Sequence, residues 1–117
     1  MIWNRLDDLN QIESIQKESK KAPVVIFKHS TRCPVSAMAF NELERSWQQE
    51  NHPDVEPYYL DVIQNRLISE GVAEEWNVMH QSPQIIIIHN QECIYDASHS
   101  EIDYSEIDRI IKSVHQM

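Results

Sequence analysis

The stretch that most constrains the fold runs from Val24 to Phe40 and reads VVIFKHSTRCPVSAMAF. Its first residues are apolar and mostly β-branched, which is typical of a buried strand. A short polar turn follows, and Cys33 then stands directly before Pro34. Proline suits the first turn of a helix, because its missing N–H would have no partner there anyway. The pattern predicts a strand, a tight turn and a helix that begins at a cysteine.

The hydrophobic pattern predicts one α/β domain over residues 1–117, since no repeat, low-complexity tract or linker marks a boundary. Apolar residues at helical spacing predict helices at about 6–19, 34–50 and 65–76 and from Tyr104 onward. Short apolar runs predict strands at about 23–27 and 55–62 and a hairpin over 84–97. Because strand–helix–strand units pair in parallel, this order predicts a mixed four-stranded sheet with helices on both faces.

The charge balance bears on partners and location. The chain has 10 basic and 19 acidic residues, a formal net charge of -9, and such a surface repels nucleic acid. There is no apolar run long enough for a membrane span, and the start MIWNRLDDLN lacks the features of a signal peptide. We therefore expect a cytoplasmic protein with no nucleic-acid or membrane partner. In that reducing compartment Cys33 and Cys93 are expected to be free thiols.

The setting of Cys33 predicts a reactive thiol. A thiol becomes nucleophilic as its thiolate, and the free N–H groups and dipole at a helix start lower a cysteine pKa from its usual value near ~8.5. Pro34 defines that helix start, and Ser36 can offer a hydroxyl and a backbone N–H. Positive charge is expected nearby from Lys28, His29 and Arg32. The alternative is that Cys33 is a small buried hydrophobe.

Three features together resemble the thioredoxin fold and, within it, the monothiol bacilliredoxins. They are STRCPVS after a strand, HQSPQIIII about fifty residues later, and the order of helices and strands, and they cover nearly the whole chain. The resemblance implies that Pro83 is a cis-proline and that Ser82 and Pro83 face Cys33 and offer backbone groups to an extended substrate. It also implies that His99 and Ser100 approach a bound small thiol.

The resemblance also implies a mechanism. Ser36 stands where the dithiol thioredoxins have the second cysteine of their C-x-x-C motif. A monothiol enzyme cannot expel its own mixed disulfide and must wait for an outside thiol. The implied reaction is removal of bacillithiol from client proteins by Cys33. No cofactor is expected to be bound; bacillithiol is the co-substrate, and a second bacillithiol, a partner redoxin or a reductase restores Cys33.

Cys93 is expected to lie too far away to take part. The chain runs from Pro83 along a strand through Ile88 before it turns, so at ~3.3 Å per residue Cys93 is roughly 15 Å from the active-site end, beyond the ~7 Å Cα limit for a disulfide. Two alternatives stay open. One is a non-catalytic thioredoxin-fold module that docks a partner peptide, and the other is a dithiol oxidoreductase that uses Cys33 and Cys93.

Two histidine–cysteine pairs have a spacing that occurs in metal sites. They are His29 with Cys33 and His89 with Cys93. A zinc site needs three or four converging ligands, and the two pairs are expected at opposite ends of the sheet. No metal site is predicted.

Overall fold

A five-stranded sheet with helices packed on it forms the centre of the computed structural model, which describes residues 1–115. The strands of this described part are β1 (Asn4–Arg5), β2 (Val24–His29), β3 (Glu56–Asp61), β4 (Gln84–His89) and β5 (Glu92–Ser98). Its α-helices are α1 (Asn10–Glu18), α2 (Pro34–Ser46), α3 (Arg66–Trp76) and α4 (Tyr104–His115). Short 3-10 helices occur at Gln49–Asn51 and His99–Glu101. Within these residues no helix is both long and apolar enough to cross a lipid bilayer.

The sheet is mixed, as predicted, and its order is β1-β3-β2-β4-β5. Strand β2 lies at the centre, parallel to β3 and antiparallel to β4, and β5 closes the hairpin with β4. The prediction of four strands is wrong, because Asn4 and Arg5 add an edge strand parallel to Tyr58 and Tyr59. Two residues are too few to show the alternation by which a strand is recognised in a sequence.

Two helix boundaries also differ from the prediction. Helix α1 begins at Asn10 instead of about residue 6, because Leu6 continues the extended chain: its N–H donates to the carbonyl oxygen of Tyr59 at 2.9 Å and its side chain is buried. Helix α2 ends at Ser46 instead of residue 50. Trp47 adopts extended backbone, is buried, and its indole N–H donates to Oε1 of Gln49 at 2.8 Å.

Side-chain alternation along β2 builds two separate cores. Val24 and Ile26 pack on the face covered by α1 and α3, in the cluster that contains Trp76. Val25 and Phe27 pack on the other face, which α2 and α4 cover, in the cluster that contains Trp47. Both faces of this central strand are therefore buried, which explains why its first four residues are all apolar.

Lys28 follows Val24 and Ile26 in the alternation of side chains along β2. Its side chain therefore lies on the face of α1 and α3 and not on that of α2. It is fully buried, and Nζ donates to the carbonyl oxygen of Ser69 and to Nδ1 of His80, both at 3.1 Å. The expectation that Lys28 supports the Cys33 thiolate is thus corrected, because Cys33 begins α2 on the opposite face.

Burial of Lys28 predicts a specific alkaline dependence of stability. Burial lowers the pKa of Lys28 from 10.5 to about 8. Between these values the unfolded chain binds the proton that the folded chain has released, so the free energy of unfolding rises with pH. We therefore expect the free energy of unfolding of wild type, relative to that of Lys28→Met, to rise by roughly 2 kcal/mol from pH 7 to pH 10, measured by urea unfolding.

Taking this difference isolates Lys28 from other alkaline groups. Burial also raises the pKa of Tyr58 and that of Cys93, but both groups titrate in wild type and variant alike. Lys20→Met at the exposed Lys20 is the matched control and should show no such growth. A wild type to Lys28→Met difference that is constant with pH would contradict the buried ammonium.

Candidate functional site

Strand register brings two loops together at one edge of the sheet. Lys28 of β2 is paired with Gln84 of β4, so the next residues, His29 and Pro83, lie side by side where β2 ends and β4 begins. The turn after His29 leads directly to Cys33. The antiparallel pairing of β2 with β4 therefore places the cysteine turn and the proline loop at the same edge.

Cys33 occupies the N-cap position of α2, as the sequence predicts. Its backbone is extended, its N–H donates to the carbonyl oxygen of Ser30 at 3.1 Å, and its own carbonyl accepts the first helical hydrogen bond, from Ala37, at 3.1 Å. Pro34 is the first helical residue. The thiol is partly exposed and free, and it lies at the end of the helix where unpaired N–H groups favour an anion.

Arg32 is exposed and directly precedes Cys33 in the turn. A guanidinium at this position adds positive charge on the solvent side of the site without any desolvation of its own. Its support of the thiolate stays a prediction.

Ser36 is buried beneath the start of α2 and takes part in a hydrogen-bond network. Its Oγ accepts the N–H of Ser30 at 3.1 Å and lies 2.7 Å from Nδ1 of His29. From the sequence, the Ser36 hydroxyl is expected to serve Cys33 and His29 is expected only as a nearby charge; the bond between Ser36 and His29 is an addition. The alternation in β2 that places Phe27 and His29 on the face of α2 is the sequence signal that could have revealed this bond.

His29 is buried, and aromatic side chains surround its imidazole. Its ring centroid lies 5.4 Å from that of Phe40, 5.6 Å from that of Tyr59 and 6.1 Å from that of Phe27. Burial lowers the pKa of His29, while the negative charge of Asp61, its partner across β2 and β3, acts in the opposite direction. The neutral imidazole is therefore favoured, and its packing fixes the direction of Nδ1.

The Ser82–Pro83 peptide bond is cis, as the sequence analysis predicts. Pro83 is buried at the edge of the sheet next to His29. The Oγ of Ser82 is also buried and has no hydrogen-bond partner within the part of the chain that the structure describes. Contact of these two residues with a substrate stays a prediction, but the orphaned hydroxyl is a polar group that a ligand could satisfy.

His99 and Ser100 lie beside this loop on an exposed 3-10 helix. The N–H of His99 donates to the carbonyl oxygen of Pro83 at 3.0 Å, so the two predicted substrate segments are tied together. His99 has a φ of 52°, a conformation uncommon for residues other than glycine. The structure thus places the predicted small-thiol contacts next to the proline loop and leaves both side chains accessible.

Cys93 lies at the other end of the hairpin. It is paired with Ile88, which in turn is paired with Val24, the first residue of β2, whereas Cys33 comes after the last residue of that strand. Burial raises the pKa of the Cys93 thiol to about 11, and its Sγ donates to the carbonyl oxygen of Tyr95 at 3.5 Å. A partly buried thiol with a raised pKa at the opposite end of the hairpin is a poor resolving group for Cys33.

Within residues 1–115 there is no group of three or more histidine, cysteine, aspartate or glutamate side chains that could hold a metal ion. The two histidine–cysteine pairs lie at opposite ends of the sheet, His29 at the end of β2 and His89 at the end of β4.

Comparisons with known proteins give the same assignment at the level of family and fold. The family described as "Monothiol bacilliredoxin BrxC" matches residues 4–107. A solved structure assigned as an oxidoreductase with a thioredoxin fold is 32% identical, with 90% of this chain and 89% of that chain covered and a TM-score of 0.75.

Two thioredoxins show the same fold at lower identity. The protein from Malassezia sympodialis is 18% identical, with 96% of this chain and 90% of that chain covered and a TM-score of 0.73. The protein from Trypanosoma brucei brucei is 13% identical, with 99% and 93% covered and a TM-score of 0.75. With this fold and the family match, the chain is a thiol oxidoreductase of the thioredoxin fold that belongs to the monothiol bacilliredoxin family.

Proposed function

We propose that the protein removes bacillithiol from mixed disulfides on client proteins in the cytoplasm, with Cys33 as the nucleophile. One observation carries the proposal: Cys33 begins α2 with its thiol partly exposed, and the residue three positions later is a buried serine. A thiol at a helix N-terminus is suited to attack a disulfide, and a serine at the resolving position leaves the product attached until an external thiol arrives.

In the first step the Cys33 thiolate attacks the bacillithiol sulfur of the mixed disulfide. A new disulfide forms between Cys33 and bacillithiol, and the bond between bacillithiol and the client breaks. The client sulfur leaves with the electron pair as a thiolate and takes a proton from solvent. Exchange of one disulfide for another needs no outside oxidant or reductant.

In the second step an external thiolate attacks the bacillithiol sulfur on Cys33. If the attacking group is a second bacillithiol, oxidised bacillithiol leaves and the Cys33 thiolate is restored. The thiol of a partner redoxin or reductase could attack in the same way. Ser36 cannot replace it, because a hydroxyl does not exchange with a disulfide, and Cys93 lies at the far end of the hairpin.

The segments beside Cys33 are suited to hold the two parts of the substrate. Backbone groups around Ser82 and Pro83 are proposed to bind the client segment, with the buried Oγ of Ser82 as a further polar contact. His99 and Ser100, accessible and tied to Pro83, are proposed to contact the bacillithiol portion. Arg32 is proposed to stabilise the thiolate from the solvent side.

Cys33→Ser should abolish release of bacillithiol from a bacillithiolated model protein, with a fall of at least about a hundredfold, because a serine hydroxyl is a far poorer nucleophile at neutral pH. Release is measured by mass spectrometry of the client under excess bacillithiol. Cys93→Ala is the matched control: it should keep most of the activity and lose only about 1–2 kcal/mol of stability. Near-normal release by Cys33→Ser would reject the enzyme and leave the peptide-docking module.

Ser36→Cys should convert the protein to a dithiol enzyme. A thiol at position 36 lies one helical turn from Cys33, so its effective concentration is high and it should expel bacillithiol from the Cys33 adduct. Intact mass after exposure to oxidised bacillithiol should show a stable adduct on wild type. The variant should instead show an internal disulfide and depend on a dithiol reductant for turnover. An adduct of equal lifetime in both proteins would contradict the placement of Ser36 next to Cys33.

A further inference from the structure

We propose that His29 is a positioning residue for Cys33: when neutral it binds the hydrogen of the Ser36 hydroxyl, and when protonated it releases that hydrogen toward the Cys33 sulfur. The proposal rests on the nucleophilic role proposed for Cys33. It adds a proton-controlled group that does not touch the substrate and acts only through Ser36.

The Ser36 hydroxyl has a single hydrogen, which can be donated either to His29 or to the Cys33 sulfur. A serine hydroxyl has one donor hydrogen and two acceptor lone pairs. The N–H of Ser30 takes one lone pair at 3.1 Å. The contact of 2.7 Å with Nδ1 of His29 uses either the hydrogen or the second lone pair, depending on whether Nδ1 carries a proton. Since Ser36 is fully buried, its hydrogen must find an acceptor inside the protein.

The sulfur of Cys33 is the competing acceptor. Cys33 is the N-cap of α2 and Ser36 is the third residue of the helix, so the two side chains belong to the same helical turn, and the Cys33 side chain makes no capping hydrogen bond while Nδ1 of His29 contacts the Ser36 hydroxyl. With a neutral imidazole the lone pair of Nδ1 holds the Ser36 hydrogen. With an imidazolium, Nδ1 donates to Oγ, and the hydrogen is free to donate to a thiolate, which is the stronger acceptor because it is charged.

Among the described residues of α2, Ser36 is the one that forms a hydrogen bond with His29, and the other groups around the imidazole decide its charge. From β3 it is faced by Asp61, which favours the imidazolium, and by Tyr59, whose ring centroid is 5.6 Å from that of His29. The guanidinium of Arg5 lies over the Tyr59 ring, 5.6 Å from its centroid. From α2 the neighbours are Phe40 and Ser36, neither of which is charged. Pro83 of the adjacent loop has no charge. Burial lowers the pKa of His29 and outweighs the opposing charge of Asp61, so the neutral ring is favoured, and a negative charge on Cys33 would favour its protonation.

This arrangement serves the two halves of disulfide exchange differently. When Cys33 attacks, a thiolate without a hydroxyl donor is the better nucleophile. When Cys33 leaves in the second step, a hydroxyl that donates to its sulfur stabilises the departing thiolate. Because the free Cys33 thiolate is the reactant of the first step and the product of the second, the protonation state of His29 sets a single balance between the rate of attack and the ease of departure, without any change in the disulfide stoichiometry.

A double-mutant cycle tests the coupling. The proteins carry Cys93→Ala, so that Cys33 alone reacts with iodoacetamide, and the readout is the midpoint pH of its alkylation rate. His29→Phe keeps the ring and removes the acceptor, so the Ser36 hydroxyl turns to the thiolate and the midpoint should fall by about one pH unit. His29→Phe combined with Ser36→Ala should have the same midpoint as Ser36→Ala alone.

A conservative variant separates positioning from packing. His29→Asn retains a side-chain acceptor near the place of Nδ1 but cannot be protonated, so its midpoint should stay within about 0.3 pH units of wild type. A midpoint that does not move in His29→Phe, or that moves equally with and without the Ser36 hydroxyl, overturns the proposal. Circular dichroism and urea unfolding verify that each variant is folded.

A measurement on unmodified His29 keeps the proposal testable if His29→Phe does not fold. Linkage requires that the state of Cys33 change the protonation of His29. The midpoint pH of the His29 imidazole, measured by NMR titration, should shift when Cys33 is alkylated. At least half of that shift should disappear in Ser36→Ala. A shift of equal size in that variant overturns the proposal. Because neither readout uses bacillithiol, coupling without release of bacillithiol would reject only the proposed function, and release without coupling only the role of His29.

Discussion

The pairing of β2 with β3 on one side and β4 on the other is the constraint on which the site depends. Every residue of β2 is buried, and the two polar side chains at its end, Lys28 and His29, find their hydrogen-bond partners on opposite faces of the sheet in this register. That register places His29 beside Asp61 and next to Pro83. The turn to Cys33 starts from there, so the position of the nucleophile relative to the proline loop is a consequence of core packing.

The last two residues of β2 show how this constraint selects chemistry. Lys28 and His29 are adjacent in sequence, yet alternation sends the first to the face of α1 and α3 and the second to the face of α2. The lysine therefore bonds to Ser69 and His80, while the histidine bonds to Ser36 beneath the thiol. A slip of one residue would exchange these two environments and place an ammonium where the neutral imidazole now lies.

The structural features that are local in sequence could be predicted, and those that depend on packing could not. The run VVIFKHSTRCPVS defines strand, turn and helix through short-range preferences, and the cis bond before Pro83 follows from the family resemblance. Strand β1 exists only because β3 offers it an edge. The expectation for Lys28 is wrong because closeness to Cys33 in sequence does not place it on the same face of the sheet. The bond between His29 and Ser36 depends on the face on which His29 lies, which nearness in sequence does not reveal.

In the proposed function Cys33 acts as a monothiol that holds its product until an external thiol arrives. Intact mass and peptide mapping of the purified protein after exposure to oxidised bacillithiol test it most directly. We expect one bacillithiol per chain, on Cys33, with Cys93 unmodified, and its removal when reduced bacillithiol is added. A disulfide between Cys33 and Cys93 in the monomer, or a protein that takes up no bacillithiol, would contradict it.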